Sequence, residues 1–154
     1  MAEDGITLEL VNSKEVQRDI GRIQDKVMEA AEGGLRSGAR IIVNSAKDLA
    51  PYFTGTLKRN IHDEVILRTE SKILIQIGTN LDYALAIEYG TAPHMPNIDA
   101  LSAWANRHGL PVWAVAMTIK EKGTKAQPFL RPALYQNEDA FISEVKAFIK
   151  MMLQ

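Results

Sequence analysis

The chain has 154 residues, 46% hydrophobic and 24% charged, an ordinary composition for a globular protein large enough to bury a core. Its 18 basic and 19 acidic residues give a formal net charge of -1, whereas proteins whose main task is to bind nucleic acid usually carry a basic excess. The absence of cysteine excludes disulfides, thiol nucleophiles and cysteine-bound zinc. No apolar run reaches the roughly 18 residues of a membrane helix, and the first residues are acidic where a signal peptide would be basic, so we expect a soluble cytoplasmic product.

The N-terminal region predicts a strand followed by a helix. Apolar Ile6, Leu8 and Leu10 alternate with polar residues, a period of two that is typical of a short strand. Asn12 can then cap a helix, because Glu15 follows three residues later. Apolar residues recur at three- and four-residue steps from Val16 onward, which is typical of an amphipathic helix.

This helix is expected to end before Pro51, since proline disfavours helical geometry in the residue before it. At about 1.5 Å per residue it would be roughly 50 Å long, more than a compact domain of this size can cover. Gly33, Gly34 and Gly38 each disfavour the helix by about 1 kcal/mol relative to alanine, so we expect a kink or break there. The alternative is that Ala30, Gly34 and Gly38, four residues apart, form a smooth strip against which another backbone can pack, either that of the domain's own sheet or that of a neighbouring subunit.

The middle of the chain predicts a β-hairpin. Residues 64–68 and 72–77 have the composition and alternation of strands, and Thr69-Glu70-Ser71 forms the turn between them. The loop at 51–60 precedes the hairpin, and residues 82–89 are expected to be helical or irregular and to end at Gly90.

The last third is predicted to be helical. Asn97 can cap one helix that ends at Gly109, and Pro111 suits the first turn of another. A polar loop at 120–127 leads to a C-terminal helix after Leu130. The expected fold is a single α+β domain over residues 1–154, with a helical and loop insertion at about 92–127. Its small antiparallel sheet packs against one long N-terminal helix and the C-terminal helix.

The sequence offers little catalytic chemistry. His62, His94 and His108 are far apart and form no metal-binding spacing, and no Gly-x-Ser-x-Gly elbow is present. Gly-Thr pairs occur four times, but none continues as a phosphate-binding loop; glycine at a turn explains them better. We expect a protein that is not an enzyme and has no cofactor and no metal.

Residues 99–122 resemble a helix-turn-helix in outline, which leaves a small DNA-binding module as the alternative function. The recognition helix of such a module should present polar and basic side chains near its N-terminus. Here that end reads Val112-Trp113-Ala114, which favours burial or a protein partner.

Four motifs then occur in order. They are Ala50-Pro51 with Thr54-Gly55-x-Leu57-x-x-x-Ile61, Tyr83-Ala84-x-x-Ile87-Glu88-Tyr89-Gly90-Thr91, Lys122-Gly123-Thr124, and Pro128-Phe129-Leu130-Arg131-Pro132-Ala133-Leu134. Together they resemble the small tail-component and tail-completion proteins of long-tailed bacteriophages. The region of Trp104 and Trp113 is similar to the minor tail protein Z-like branch. The resemblance covers about residues 30 to 150.

The resemblance implies a structural virion protein of the head–tail junction, or neck, that forms a ring around the DNA channel, with a hexamer as the candidate ring size. It implies no enzymatic activity and no cofactor. The expected partners are further copies of the chain and the neighbouring connector, tail-tube or terminator proteins, with DNA only passing through and no membrane involved. The expected location is the virion neck or tail, after assembly in the host bacterial cytoplasm.

The candidate subunit-contact residues lie in these motifs and are Tyr83, Glu88, Thr91, Arg59, Phe129 and Arg131. At least two of Tyr83, Ile87 and Tyr89 are expected to pack the sheet edge against the helix.

Glu88 is expected to be an exposed acid that pairs with a basic residue of a neighbouring subunit, with Arg59 and Arg131 as the candidates. Phe129, between Pro128 and Pro132, is an apolar anchor. We favour its docking on the domain's own core, and the alternative is an anchor for a neighbouring tail protein.

Overall fold

The computed structural model describes residues 14–52 and 54–152. The predicted strand at 6–10 and the predicted cap at Asn12 lie outside these residues.

The first element, α1 (Lys14–Leu49), is one continuous helix of 36 residues. The predicted break at Gly33 and Gly34 is therefore wrong. The alternative is correct in that the small residues let another backbone approach, but that backbone belongs to a second helix of the same chain and not to the sheet or a neighbouring subunit. That helix, α6 (Leu130–Met152), runs antiparallel to α1. A Cβ on Gly34 would lie 3.1 Å from the carbonyl oxygen of Val145, and one on Gly38 would lie 2.7 Å from the ring of Phe141. The contacts with α6 offset the helix-weakening effect of glycine.

The hairpin consists of β1 (His62–Arg68) and β2 (Ile73–Gly78), close to the predicted strands. His62 pairs with Gly78 and Arg68 with Ile73, and the register shifts between Val65 and Leu67.

The hairpin packs along α1. Arg68 Nη1 lies 2.7 Å from Glu32 Oε2, and the Gln24 side chain donates to the carbonyl of Glu70 at 3.1 Å. A long helix, a small antiparallel sheet and a C-terminal helix thus confirm the predicted α+β class.

The core lies where α1, the start of α6 and the segment between α1 and the hairpin meet. That segment contains α2 (Thr56–Asn60). Phe129 and Ile61 are the largest side chains that are fully buried in the described residues, so the favoured expectation that Phe129 docks on the chain's own core is confirmed. The other buried members of the core are Ile42, Val43, Ala46, Ala50, Leu57, Ala84 and Ala133.

Three shorter helices complete the described chain. They are α3 (Ala84–Tyr89), α4 (Ile98–Arg107) and α5 (Val112–Lys122). Asn97 caps α4 as predicted, because its side-chain oxygen accepts the Ala100 N–H at 3.1 Å. Pro111 directly precedes α5, and α4 and α5 pack on each other.

The N-terminal part of α1 is left largely uncovered by the described elements that pack on this helix, as its length predicted. Ile20 and Ile23 are 58% and 62% exposed, whereas Ala30 and Ala39 are fully buried. Among the helices of residues 14–52 and 54–152, none combines the length and the apolar character needed to cross a membrane.

Candidate subunit-contact surfaces

Glu88 of α3 is buried and binds the start of α6. One carboxylate oxygen, Oε2, accepts the N–H of Phe129 at 2.8 Å and of Leu130 at 2.9 Å. The other, Oε1, accepts the N–H of Arg131 at 3.0 Å and its side-chain Nε–H at 3.3 Å. The first amides of a helix have no partner within the helix, so Glu88 supplies the acceptor that this helix end needs.

The same geometry keeps Glu88 charged. Burial raises the pKa of this carboxyl group. The hydrogen bonds from Leu130, Phe129 and Arg131 together lower the pKa by more than burial raises it, so that the pKa lies below its ordinary value. The positive end of the α6 dipole also favours a negative charge here. Glu88 is therefore a carboxylate at neutral pH and holds α3 against α6.

The expectation of an exposed acid at Glu88 is wrong, since only 4% of this residue is exposed. Arg131, named as a partner from a neighbouring subunit, contacts Glu88 within the same chain. Arg59 is exposed and donates to the carbonyl of Thr54 at 3.2 Å. Phe129, another candidate contact residue, is buried, with only 2% of its surface exposed.

Of Tyr83, Ile87 and Tyr89, two residues do not pack the sheet edge against the helix. Tyr83 is 45% exposed and Tyr89 is 58% exposed, and only Ile87 packs partly against the core. The expectation that at least two of them are packed inward is therefore wrong. The motif places its aromatic side chains on the surface instead.

One surface, which we call the α3 outer face, consists of Leu85, Tyr89 and Arg131. Leu85 is 70% exposed, and the Arg131 guanidinium lies 4.6 Å from the centre of the Tyr89 ring, within the range of a cation–π contact. A groove of about 430 Å³ runs beside these residues, between the end of β2 and the start of α6.

A second surface lies on a different side of α3. Two adjoining grooves, of about 540 and 690 Å³, separate α3 from α4 and share Tyr83, Ile87, Trp104 and Gln127 in their walls. We call them together the α4 cleft. The Trp104 ring stacks on His108 with centroids 4.2 Å apart.

Thr91 joins the segments that lead into and out of the α4–α5 pair. Its N–H donates to the carbonyl of Thr124 at 3.1 Å, the Thr124 N–H donates to the carbonyl of Thr91 at 3.2 Å, and the two hydroxyls are 3.0 Å apart. Gly90 and Gly123 precede these threonines with φ of 73° and 72°, a left-handed conformation that favours glycine. Thr91 and Thr124 thus form an isolated antiparallel β-bridge. Each side of this bridge is a Gly-Thr dipeptide. The repeated dipeptide was the signal in the sequence, but nothing in it showed that the third and fourth copies pair.

The α4–α5 pair does not present the surface of a DNA-reading module. The first turn of α5 exposes Trp113, at 63%, and the basic residues of this helix, Lys120 and Lys122, lie in its last turn. Within residues 14–52 and 54–152, no group of three His, Asp or Glu side chains is placed to hold a metal ion.

Exposed aromatic and aliphatic side chains at two separate surfaces are typical of a protein that acts through contacts with other proteins. Residues 14–90 match the family model described as "Bacteriophage HK97-gp10, putative tail-component". The match covers half of the chain, including α1, the hairpin and α3, and the chain belongs to this family of phage tail components. No curated protein and no solved structure matches the chain significantly.

Proposed function

We propose that this protein completes the phage tail, or joins head and tail at the neck, by forming a ring of copies through protein–protein contacts. Membership of a tail-component family supports a virion tail protein that works with other tail proteins. The observation that carries the ring is the presence of two different apolar surfaces, the α3 outer face and the α4 cleft. A closed ring uses head-to-tail contacts, which require two distinct and complementary surfaces on each copy.

In the proposed contact, Leu85 and Tyr89 of one copy enter the α4 cleft of the next. Leu85 is the most exposed large aliphatic residue of α3, and the cleft offers Tyr83 and Trp104 as apolar walls. Aromatic residues and arginine carry much of the binding energy in protein interfaces, and Arg131 already lies over Tyr89.

The proposed role is structural and needs no catalytic residue and no cofactor. The ring would surround the DNA channel at the virion neck after assembly in the host cytoplasm, and would bind the connector on one side and the tail-tube or terminator protein on the other. A hexamer is the proposed ring size. DNA would only pass through, in keeping with the net charge of -1.

The ring contact can be tested by complementing a phage that lacks this gene with Leu85→Glu. A buried glutamate without a partner strongly disfavours an apolar contact, so we expect few complete virions by plaque assay and electron microscopy. Ile66→Glu is the matched control, because Ile66 is 53% exposed on β1, away from both surfaces, and should support normal assembly. Full complementation by Leu85→Glu would contradict the proposed contact.

The head-to-tail geometry can be tested by cross-linking, because introduced cysteines would be the only ones in the chain. With Leu85→Cys on the α3 outer face and Leu101→Cys in the wall of the α4 cleft, oxidised particles of the double variant should give a ladder of linked chains. The ladder would end at the number of copies in the ring. Each single variant should remain unlinked, and linked pairs from a single variant would refute head-to-tail contact at these surfaces.

A further inference from the structure

The N-terminal part of α1 carries a regular apolar stripe that is largely exposed to solvent. Its members, which we call the α1 stripe, are Val16, Ile20, Ile23 and Val27, with exposures of 51%, 58%, 62% and 38%. The same 4-3-4 spacing continues to Ala30 and Gly34, which are buried. There α6 covers the stripe as an antiparallel helix, so a second helix is the type of partner that this spacing fits.

The stripe is also symmetrical along the chain. Its residues read Val-Ile-Ile-Val with spacings of four, three and four residues, so it is the same in either direction. Two copies that meet in antiparallel orientation would therefore place Ile20 opposite Ile23 and Val16 opposite Val27. Each layer of the contact pairs side chains of equal size.

We propose that the α1 stripe binds the α1 stripe of a second copy of this chain in antiparallel orientation. The contact is two-fold symmetric, so it closes with two copies. It is separate from the head-to-tail contact of the proposed ring and does not depend on it. It would join free subunits into dimers and cover the stripe before assembly.

Charges beside the stripe favour the antiparallel orientation. Asp19 and Lys26 each precede a stripe residue by one position and lie on the same flank of it. In antiparallel helices, such residues face each other across the seam. Asp19 of each copy therefore meets Lys26 of the other copy, which gives two ion pairs per dimer. A parallel pairing would place Asp19 beside Gln24 and form neither ion pair. The existing contact of Asp19 with Arg22, at 3.5 Å with both side chains mostly exposed, is weak and does not prevent this pairing.

The size of the contact predicts a weak dimer. From Val16 to Val27, it spans about 18 Å at 1.5 Å per residue, and we expect it to bury less than the roughly 1,200 Å² of total surface that is usual for stable complexes. A dissociation constant on the order of 10 µM is therefore expected. Such a dimer can open when a subunit enters a larger assembly.

Sedimentation velocity of the purified chain from about 1 to 200 µM brackets that constant and should show a monomer–dimer equilibrium. Ile23→Glu should weaken the dimer at least about tenfold, since it places a charge in the apolar seam. Its circular dichroism should not change, because Ile23 is already exposed in the single chain. Leu85→Glu is the control and should dimerise normally. A monomer at every concentration, or a dimer abolished by Leu85→Glu and retained by Ile23→Glu, would overturn the proposal.

Charge exchange tests the orientation. Asp19→Lys should weaken the dimer about fivefold, because it places two lysines together, and Asp19→Lys combined with Lys26→Asp should restore it. If the double variant remains as weak as the single one, the antiparallel pairing is wrong.

Cysteine exchange gives a second measure of orientation. A mixture of Ile20→Cys and Ile23→Cys chains should form a mixed disulfide faster than either chain links to itself. Faster self-linking of Ile20→Cys would indicate a parallel pair and refute the proposal. The sedimentation, charge-exchange and cysteine-exchange experiments all use the free protein, so they can succeed or fail independently of ring assembly.

Discussion

Replacement of Glu88 by glutamine tests how the start of α6 is held. Each carboxylate oxygen accepts two hydrogen bonds, two from Phe129 and Leu130 and two from Arg131. A glutamine has one oxygen and one NH₂ group, so two of these four donors would face another donor. The substitution changes almost no volume, and it therefore isolates the loss of charge and acceptor.

The magnitude follows from the hydrogen bonds that glutamine is unable to accept. A hydrogen bond to a charged group contributes about 1.5–3 kcal/mol, and a buried donor without an acceptor costs about 1–3 kcal/mol. Arg131 is half exposed, so water replaces part of its contribution and the backbone donors dominate. We expect Glu88→Gln to lower the free energy of unfolding by about 3 kcal/mol, a large part of the roughly 5–15 kcal/mol that is usual for a domain.

Urea unfolding followed by circular dichroism measures this loss. Glu138→Gln is the matched control, because Glu138 is exposed on the same helix, and its effect should stay within about 0.5 kcal/mol. If the two variants lose the same small amount, the role of Glu88 in holding α6 is refuted.

The same residue predicts a pH dependence. The pKa of Glu88 is lowered in the folded protein, whereas an unfolded glutamate has a pKa of about 4.3. The stability that this charge contributes is complete above the unfolded pKa and is lost as the pH falls through the lowered folded pKa. The difference between the wild-type chain and Glu88→Gln should therefore be constant from about pH 7 to about pH 5.5 and shrink below about pH 4.3. A difference that grows on acidification would contradict the direction of the shift.

Other predictions concern the glycines. Gly34→Ala should lower the free energy of unfolding by about 1 kcal/mol, because the new methyl group would press on the Val145 backbone. Gly21→Ala, where nothing lies within 4 Å, should raise it by about 0.5–1 kcal/mol; equal effects in urea unfolding would refute the close approach of α6. Gly123→Ala should lower the free energy of unfolding by about 2 kcal/mol or more, because φ is positive and a Cβ would overlap the Thr91 carbonyl. Thermal unfolding measures this loss, and an unchanged midpoint would contradict the bridge.

Local patterns in the sequence predicted the helix and strand boundaries that neighbouring residues determine. Alternation located the hairpin, Asn97 located the start of α4, and Pro51 located the end of α1 to within one residue. The stripe of α1 and its excess length also followed directly from the periodicity of the apolar residues.

Features that depend on contacts distant in sequence were not predictable in this way. The glycines of α1 indicate a break by helix propensity alone, and only the packing of α6, more than 100 residues later, shows why the helix continues. Glu88 looked exposed because a short motif does not show that the amides of Phe129 and Leu130, 41 and 42 residues later, converge on it. The same motif does not show that its tyrosines lie at the surface, because their burial also depends on distant segments.

The proposed role of this tail component lies at the junction of head and tail. This role can be tested by electron microscopy of particles from a phage that lacks the gene, with the wild-type gene supplied in trans as the control. We expect heads without tails beside unattached tails, and normal virions after complementation. Complete, infectious virions in the absence of the gene would contradict it.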